Sequence, residues 1–216
     1  MLDIIIAGHH SRHTTVLAAA QASISDSDVS GHITTLRTRT DPTLTHAKAW
    51  QLAATSGAPL VCVLEDDVVV GRHFQHNIME AFSHLDDPDE CLLSVFRPAI
   101  ADDYDAFKPP GVHTVMPSHL WWGGQALVAT PVLASMIASL LLFQAETVPW
   151  HPDPRVRGRT CHDTYLYDHL PHLGIRTLLH TPTLTEHLPG PSLAGSTGQT
   201  EESRHAGAHF IIDWRA

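Results

Sequence analysis

Apolar residues along this chain fall into short, dense blocks separated by turns that carry glycine, proline and small polar residues. Leu2 to Ala7 is nearly all apolar and predicts a buried strand, with Gly8 opening a polar turn behind it. Thr14 to Ser23 is rich in alanine and predicts a helix, and Ile33 to Arg37 alternates apolar with polar positions, as a strand does. Asp41-Pro42 opens a helix that runs through Thr45, His46, Trp50 and Leu52 to about Thr55. Ser56-Gly57-Ala58-Pro59 ends it, since glycine and proline stop a helix. Leu60 to Leu64 then predicts another buried strand.

Further along, the pattern predicts a helix over Phe74 to Leu85 and a strand over Cys91 to Phe96. Arg97 to Ser118 reads as one long connection, the kind that serves as a lid or binding loop. A strand over Gln125 to Ala129 and a helix over Val132 to Phe143 follow, with Pro131 at the helix start. Thr147 to Arg159 is a polar loop rich in proline and arginine. Asp163 to Leu173 is helical, Ile175 to Leu179 is a strand, and Pro182 onward reads as a tail of Gly, Ser and Thr. This alternation implies an α/β chain: a single domain over 1–195 with a mostly parallel central sheet flanked by helices, and a C-terminal tail over 196–216. In such sheets ligands sit beyond the carboxyl ends of the strands. Gly8 to Arg12 and Glu65 to Asp67 both fall there.

The 216 residues suffice for a substantial core. A formal charge of −10, with 13 Lys and Arg against 23 Asp and Glu, argues against broad attraction to nucleic acid but leaves room for a local basic patch. The 18 histidines are scattered, and most are expected at the surface. Cys62, Cys91 and Cys161 lack paired zinc spacing and predict a reducing compartment without disulfides. The first apolar run has no basic leader, and the run around Met136 to Phe143 is too short to span a bilayer, so the expectation is a soluble, cytoplasmic protein.

Three consecutive carboxylates, Glu65-Asp66-Asp67, separate the apolar run ending at Leu64 from Val68-Val69-Val70. Like charges this close repel unless a cation neutralises them, and a hard divalent cation suits oxygen ligands. A solvated turn is the plain alternative. As a metal site, it would use Asp67 as the best direct ligand. Asp66 would meet a ribose or reach the metal through water, and Glu65 would be a ligand or orient its neighbours. Mn²⁺ or Mg²⁺ there would stabilise a diphosphate leaving group.

Leu64-Glu65-Asp66-Asp67-Val68 resembles the strand-end acidic motif of glycosyltransferases with the GT-A (Rossmann-like) fold. Thr43-Leu44-Thr45-His46-Ala47-Lys48-Ala49-Trp50 is similar to the "LSH…W" helix that precedes that motif in glycosyltransferase family 25, with Thr45 in place of serine. Pro182-Thr183-Leu184-Thr185-Glu186-His187-Leu188-Pro189-Gly190-Pro191-Ser192 resembles the family's "P-S-L-x-x-H-x-G-x-x-S" ending, with Pro189 displacing the glycine by one place to Gly190. The resemblance implies a metal-dependent transfer of sugar from a nucleotide-diphosphate sugar to a hydroxyl acceptor. It implies His187 as a metal ligand and Ser192 or Ser196 near phosphate oxygens. Asp163, in Cys161-His162-Asp163-Thr164, falls where inverting transferases place the base; capping a helix is its alternative role, and His162 is a weaker candidate.

Trp121-Trp122-Gly123-Gly124 resembles the segment lining the sugar pocket, where tryptophan stacks on sugar rings and glycine admits a ligand close to the backbone. Gly8, His9 and Arg12 are positioned to meet the nucleotide, and Asp41 its base. Arg155, Arg157 and Arg159 would meet phosphates or form a solvated basic patch. The resemblance implies lipopolysaccharide or another surface glycan as acceptor, and the compact size also allows a phage-type enzyme that acts on a hydroxymethylated DNA base. Two other classes remain: a metal-dependent nucleotidyltransferase or phosphoesterase, which usually needs more convergent acids or a phosphate-cradling glycine loop, and a non-catalytic sugar-binding module.

Overall fold

The computed structural model describes residues 1–10, 14–39, 41–96, 109–115, 124–148 and 162–188. Strand β1 (Leu2–His9) alternates its side chains across the sheet, yet every residue through Ala7 is buried except for the half-buried end at His9. Ile4 and Ile6 enter one core and Ile5 and Ala7 the other, so both faces must be apolar. The same division holds in β3 (Leu60–Glu65), where Cys62 and Leu64 face the first core and Val61 and Val63 the second.

Helix α1 (Thr14–Ser25) and helix α3 (Phe74–Ser83) close the first face, bringing Ile24, Phe74, Ile78 and Phe82 onto the sheet. Helices α2 (Pro42–Ala53) and α4 (Pro131–Thr147) cover the second, with Trp50 packed among Leu133, Ile137 and Leu141. Each of these two starts the same way. A proline stands at the first helical position, and a side-chain oxygen, from Asp41 or Thr130, accepts a hydrogen bond from the backbone N–H three residues on, at 3.0 Å and 3.3 Å.

The remaining strands are β2 (Ile33–Thr38), β4 (Val68–Val70), β5 (Cys91–Ser94), β6 (Gly111–Thr114), β7 (Ala126–Ala129), β8 (Arg176–Thr181) and β9 (Thr185–His187). Helix α5 (His162–His169) and a 3-10 turn over Leu170–Leu173 precede β8. Seven strands form one sheet in the order β2-β1-β3-β7-β5-β8-β6. The strands β1, β2, β3, β5 and β8 run one way, so the sheet is mostly parallel, as expected. β7 runs against both β3 and β5, and β6 against β8.

Two expectations need correction. The connection from Arg97 to Ser118 contains β6, a half-exposed edge strand whose few apolar positions gave no periodic signal. The segment after Pro182 is not simply a tail, because β9 pairs antiparallel with β4 in a separate two-stranded sheet. Val95 fixes that segment: its carbonyl accepts from the Leu184 N–H at 2.9 Å and from the hydroxyls of Thr183 and Thr185 at 3.1 and 3.3 Å. Most of the described histidines are at least partly exposed, as expected, while His46, His162 and His180 are buried. Among the described residues no helix is long and apolar enough to cross a membrane, and Cys62 and Cys91 are buried free thiols.

Candidate functional site

Glu65 ends β3 and pairs across to Ala7, while its N–H donates to the Gln125 carbonyl at 2.9 Å. The next N–H, on Asp66, donates to the Ala7 carbonyl at 3.1 Å. The acidic turn is therefore anchored to strands on both sides. Asp66 and Asp67 are only 3% and 2% exposed, so these two carboxylates are enclosed rather than part of a solvated turn. The Asp66 carboxylate lies against Gly8, where an added Cβ would come within 2.8 Å of its Cγ. Gly8 is thus required by the acid beside it.

His187 reaches the turn through the β4–β9 ladder, directly opposite Val68. The Leu188 N–H donates to the Asp67 carbonyl at 2.7 Å, and His187 Nε2 stands 2.9 Å from Asp67 Oδ2. Ligand-capable atoms of Glu65, Asp67 and His187 all lie within 4.8 Å of one another. Adjacent donors around an ion with bonds of about 2.1 Å stand about 3 Å apart, so the His187–Asp67 separation fits a shared cation. Two carboxylates and an imidazole make the mixed oxygen and nitrogen set that Mn²⁺ accepts more readily than Mg²⁺.

A different arrangement meets Glu65 from the interior. His46 Nε2, on α2, lies 3.5 Å from Glu65 Oε1, and His162 Nε2, at the start of α5, lies 3.9 Å from the same oxygen. The two rings stack with centroids 3.5 Å apart and planes inclined by 15°. Burial holds both imidazoles neutral at ordinary pH, with pKa values lowered to about 4. His46 lowers His162 further, while Asp163 acts the other way on each, joined at His162 by Glu65 and a backbone hydrogen bond with Gly124. Gly124 makes room for this stack, since a Cβ there would fall 2.5 Å from His162 Nε2 and 2.8 Å from the Asp163 Cβ. The close approach at Gly124 is therefore to protein side chains.

Asp163 sits in the first turn of α5, buried, with Oδ1 accepting from the Thr164 N–H at 2.8 Å. Its charge acts on both His46 and His162. His9 is half-buried at the end of β1, its carbonyl approached by the Arg37 guanidinium at 3.5 Å. Asp41 caps α2. Arg12, Trp121, Trp122, Gly123, Ser192, Ser196, Cys161, Arg155, Arg157 and Arg159 lie outside the described residues. Sequence reasoning gave His46 no role of its own, although it stands in the helix motif; the sequence signal was its place one turn above Trp50.

A family model described as "Glycosyltransferase family 25 (LPS biosynthesis protein)" matches residues 43–105, which span α2, β3 and the acidic turn. A solved structure, a glycosyltransferase involved in the glycosylation of the major capsid of PBCV-1, superposes with a TM-score of 0.50 at 16% identity, covering 88% of this chain and 94% of that one. The chain has the GT-A fold and resembles glycosyltransferase family 25. Family match and fold together support a transferase enzyme. Lower in similarity are a Drosophila β-1,4-galactosyltransferase 7 variant in complex with manganese, UDP-Gal and xylobiose, and a nucleotidyl transferase from Methanothermobacter. The first has a TM-score of 0.46 at 11% identity, covering 94% of this chain and 79% of that one; the second has 0.45 at 9%, covering 84% and 87%. No curated protein matches the chain.

Proposed function

We propose that this chain is a metal-dependent glycosyltransferase that moves a sugar from a nucleotide-diphosphate sugar to a hydroxyl acceptor. The observation that carries this reading is the meeting of Glu65 and Asp67, in one turn, with His187 from far along the chain, within 4.8 Å at the strand ends of a GT-A fold. Asp67 and His187, with Glu65, would hold Mn²⁺ or Mg²⁺. The ion would supply Lewis-acid stabilisation of the charge that develops on the diphosphate.

The chain's own residues do the rest. Asp163 takes the acceptor's hydroxyl proton as that oxygen forms its bond to the anomeric carbon. The anomeric C–O bond to the diphosphate breaks and its electron pair leaves with the phosphate oxygen. Gly8 lets Asp66 sit at the end of β1, where a ribose would approach. Arg12, Asp41 and Ser192 are the proposed nucleotide contacts, and Trp121, Trp122 and Gly123 the proposed sugar platform. The acceptor is a glycan hydroxyl or a hydroxymethylated base in DNA, and the net charge of −10 favours the glycan.

The test incubates the full chain with Mn²⁺ and a panel of nucleotide sugars, with and without glycan and hydroxymethylated DNA acceptors. Nucleoside diphosphate release with sugar transfer is expected, and Asp67→Ala should lower it by about 10³-fold, the worth of several kcal/mol of charge stabilisation. Pyrophosphate release from nucleoside triphosphates instead would identify a nucleotidyltransferase. No turnover with any donor, alongside donor binding, would identify a sugar-binding module.

A further inference from the structure

We infer that His46 is a positioning residue that holds the Glu65 carboxylate in place for the cation site formed with Asp67 and His187. The inference rests on the metal reading above and extends it to a residue that does not itself touch the cation.

The geometry decides what the two imidazoles do. His46 and His162 both turn Nε2 toward Glu65 Oε1, at 3.5 and 3.9 Å, and could be taken for a second pair of ligands. A ring nitrogen binds a cation along a lone pair lying in the ring plane, about 2 Å from the metal. Rings stacked 3.5 Å apart and inclined by only 15° keep those lone pairs in two nearly parallel, offset planes. They do not converge on one ion. An N–H donor, by contrast, needs only to point at the carboxylate, and His46 is the nearer of the two, since His162 Nε2 at 3.9 Å makes no hydrogen bond to Glu65.

The surroundings of His46 single it out. It is 4% exposed, its Nδ1 is buried with no hydrogen-bond partner among the described residues, and α2 fixes it within the core that holds Ala47, Ala49 and Trp50. With α2 fixing the ring by packing, its Nε2 stands 3.5 Å from Glu65 Oε1, where a fixed donor orients the carboxylate. Groups that orient a ligand from behind typically contribute ten- to a hundredfold to metal affinity.

The experiment measures Mn²⁺ binding to the full chain by isothermal titration calorimetry for the natural protein, His46→Ala, His46→Gln and Asp67→Ala, with circular dichroism to confirm folding. His46→Ala should weaken Mn²⁺ binding by about ten- to a hundredfold. His46→Gln, which keeps an N–H donor near the Nε2 position, should recover most of the loss, which a purely structural role would not produce. Stoichiometry should stay at one ion in the natural protein and in both His46 variants. Should His46→Ala misfold, His46→Gln against His46→Leu carries the same contrast. Natural affinity in His46→Ala, with binding lost in Asp67→Ala, would overturn the inference and leave the metal reading standing. Unchanged affinity in Asp67→Ala would sink both. Two ions in the natural protein falling to one in His46→Ala would make His46 a ligand and overturn its positioning role.

Discussion

On one side of Glu65 the neighbouring groups come from a turn and the three-residue strand β9; on the other they come from the inner faces of two helices. His187 keeps its place through a few backbone hydrogen bonds, those of Leu188 with Asp67 and Gly71 with Leu184. His46 keeps its place because Ala47, Ala49 and Trp50, all at 0% exposure, lock α2 onto the sheet and α4. One wall of the site is thus held by a thin ladder and the other by close packing. The difference suits a centre in which a ligand must enter from one side while the groups behind it hold still.

The most severe break in this comparison is Asp163→Asn. It keeps shape and removes the proposed base, so turnover should fall by about 10²–10⁴-fold while Mn²⁺ affinity is retained. Turnover within tenfold of the natural chain, measured by steady-state kinetics, would take the base away from Asp163.

A smaller effect separates the packed interior from the ladder by pH. His46, His162 and His180 have folded-state pKa values lowered from 6.5 to about 4 by burial. Below the unfolded value the unfolded chain binds more protons than the folded one, so stability present at pH 7 declines as pH falls from about 6.5 toward 4. Each histidine contributes about 1.4 kcal/mol per pH unit across that window. Urea melts at a series of pH values should show the decline. His180→Asn, which keeps a donor for the Pro182 carbonyl that now accepts from Nδ1 at 2.7 Å, should make it shallower by one group. An unaltered slope in that variant would place the proton uptake elsewhere.

The mildest test concerns Asp41, whose capping bond to Leu44 is seen and whose nucleotide contact is proposed. Asp41→Ala should cost about 1 kcal/mol of stability. Asp41→Ser should restore the cap, and a donor KM that stays raised in Asp41→Ser would assign the carboxylate to the nucleotide as well.

Much of the framework is legible in the residue order. Leu2 to Ala7 and Leu60 to Leu64 are dense apolar runs because both faces of their strands are covered, and Pro42 and Pro131 mark helix starts by chemistry local to the chain. The direction of β7 was not legible, because Ala126 to Ala129 reads the same whichever way it runs. β6 and β9 escaped notice because a few residues at an edge, beside proline, carry no period. Within the site, the acidic turn announces itself by composition, and His187 came through a resemblance. The approach of His162 to His46 had no local signal. It is a product of topology, set by where α5 begins relative to α2, and of the missing side chain at Gly124.

The pairing of Val68 with His187 has a further consequence. Because the same short ladder carries the histidine to the aspartate, an ion gripped by both would fasten the late segment of the chain onto the early one. Saturating metal would then shield β9 from proteases and slow its amide exchange, by an amount growing with the logarithm of ion concentration. Occupancy of the centre and docking of that segment become a single equilibrium, and either can be read from the other.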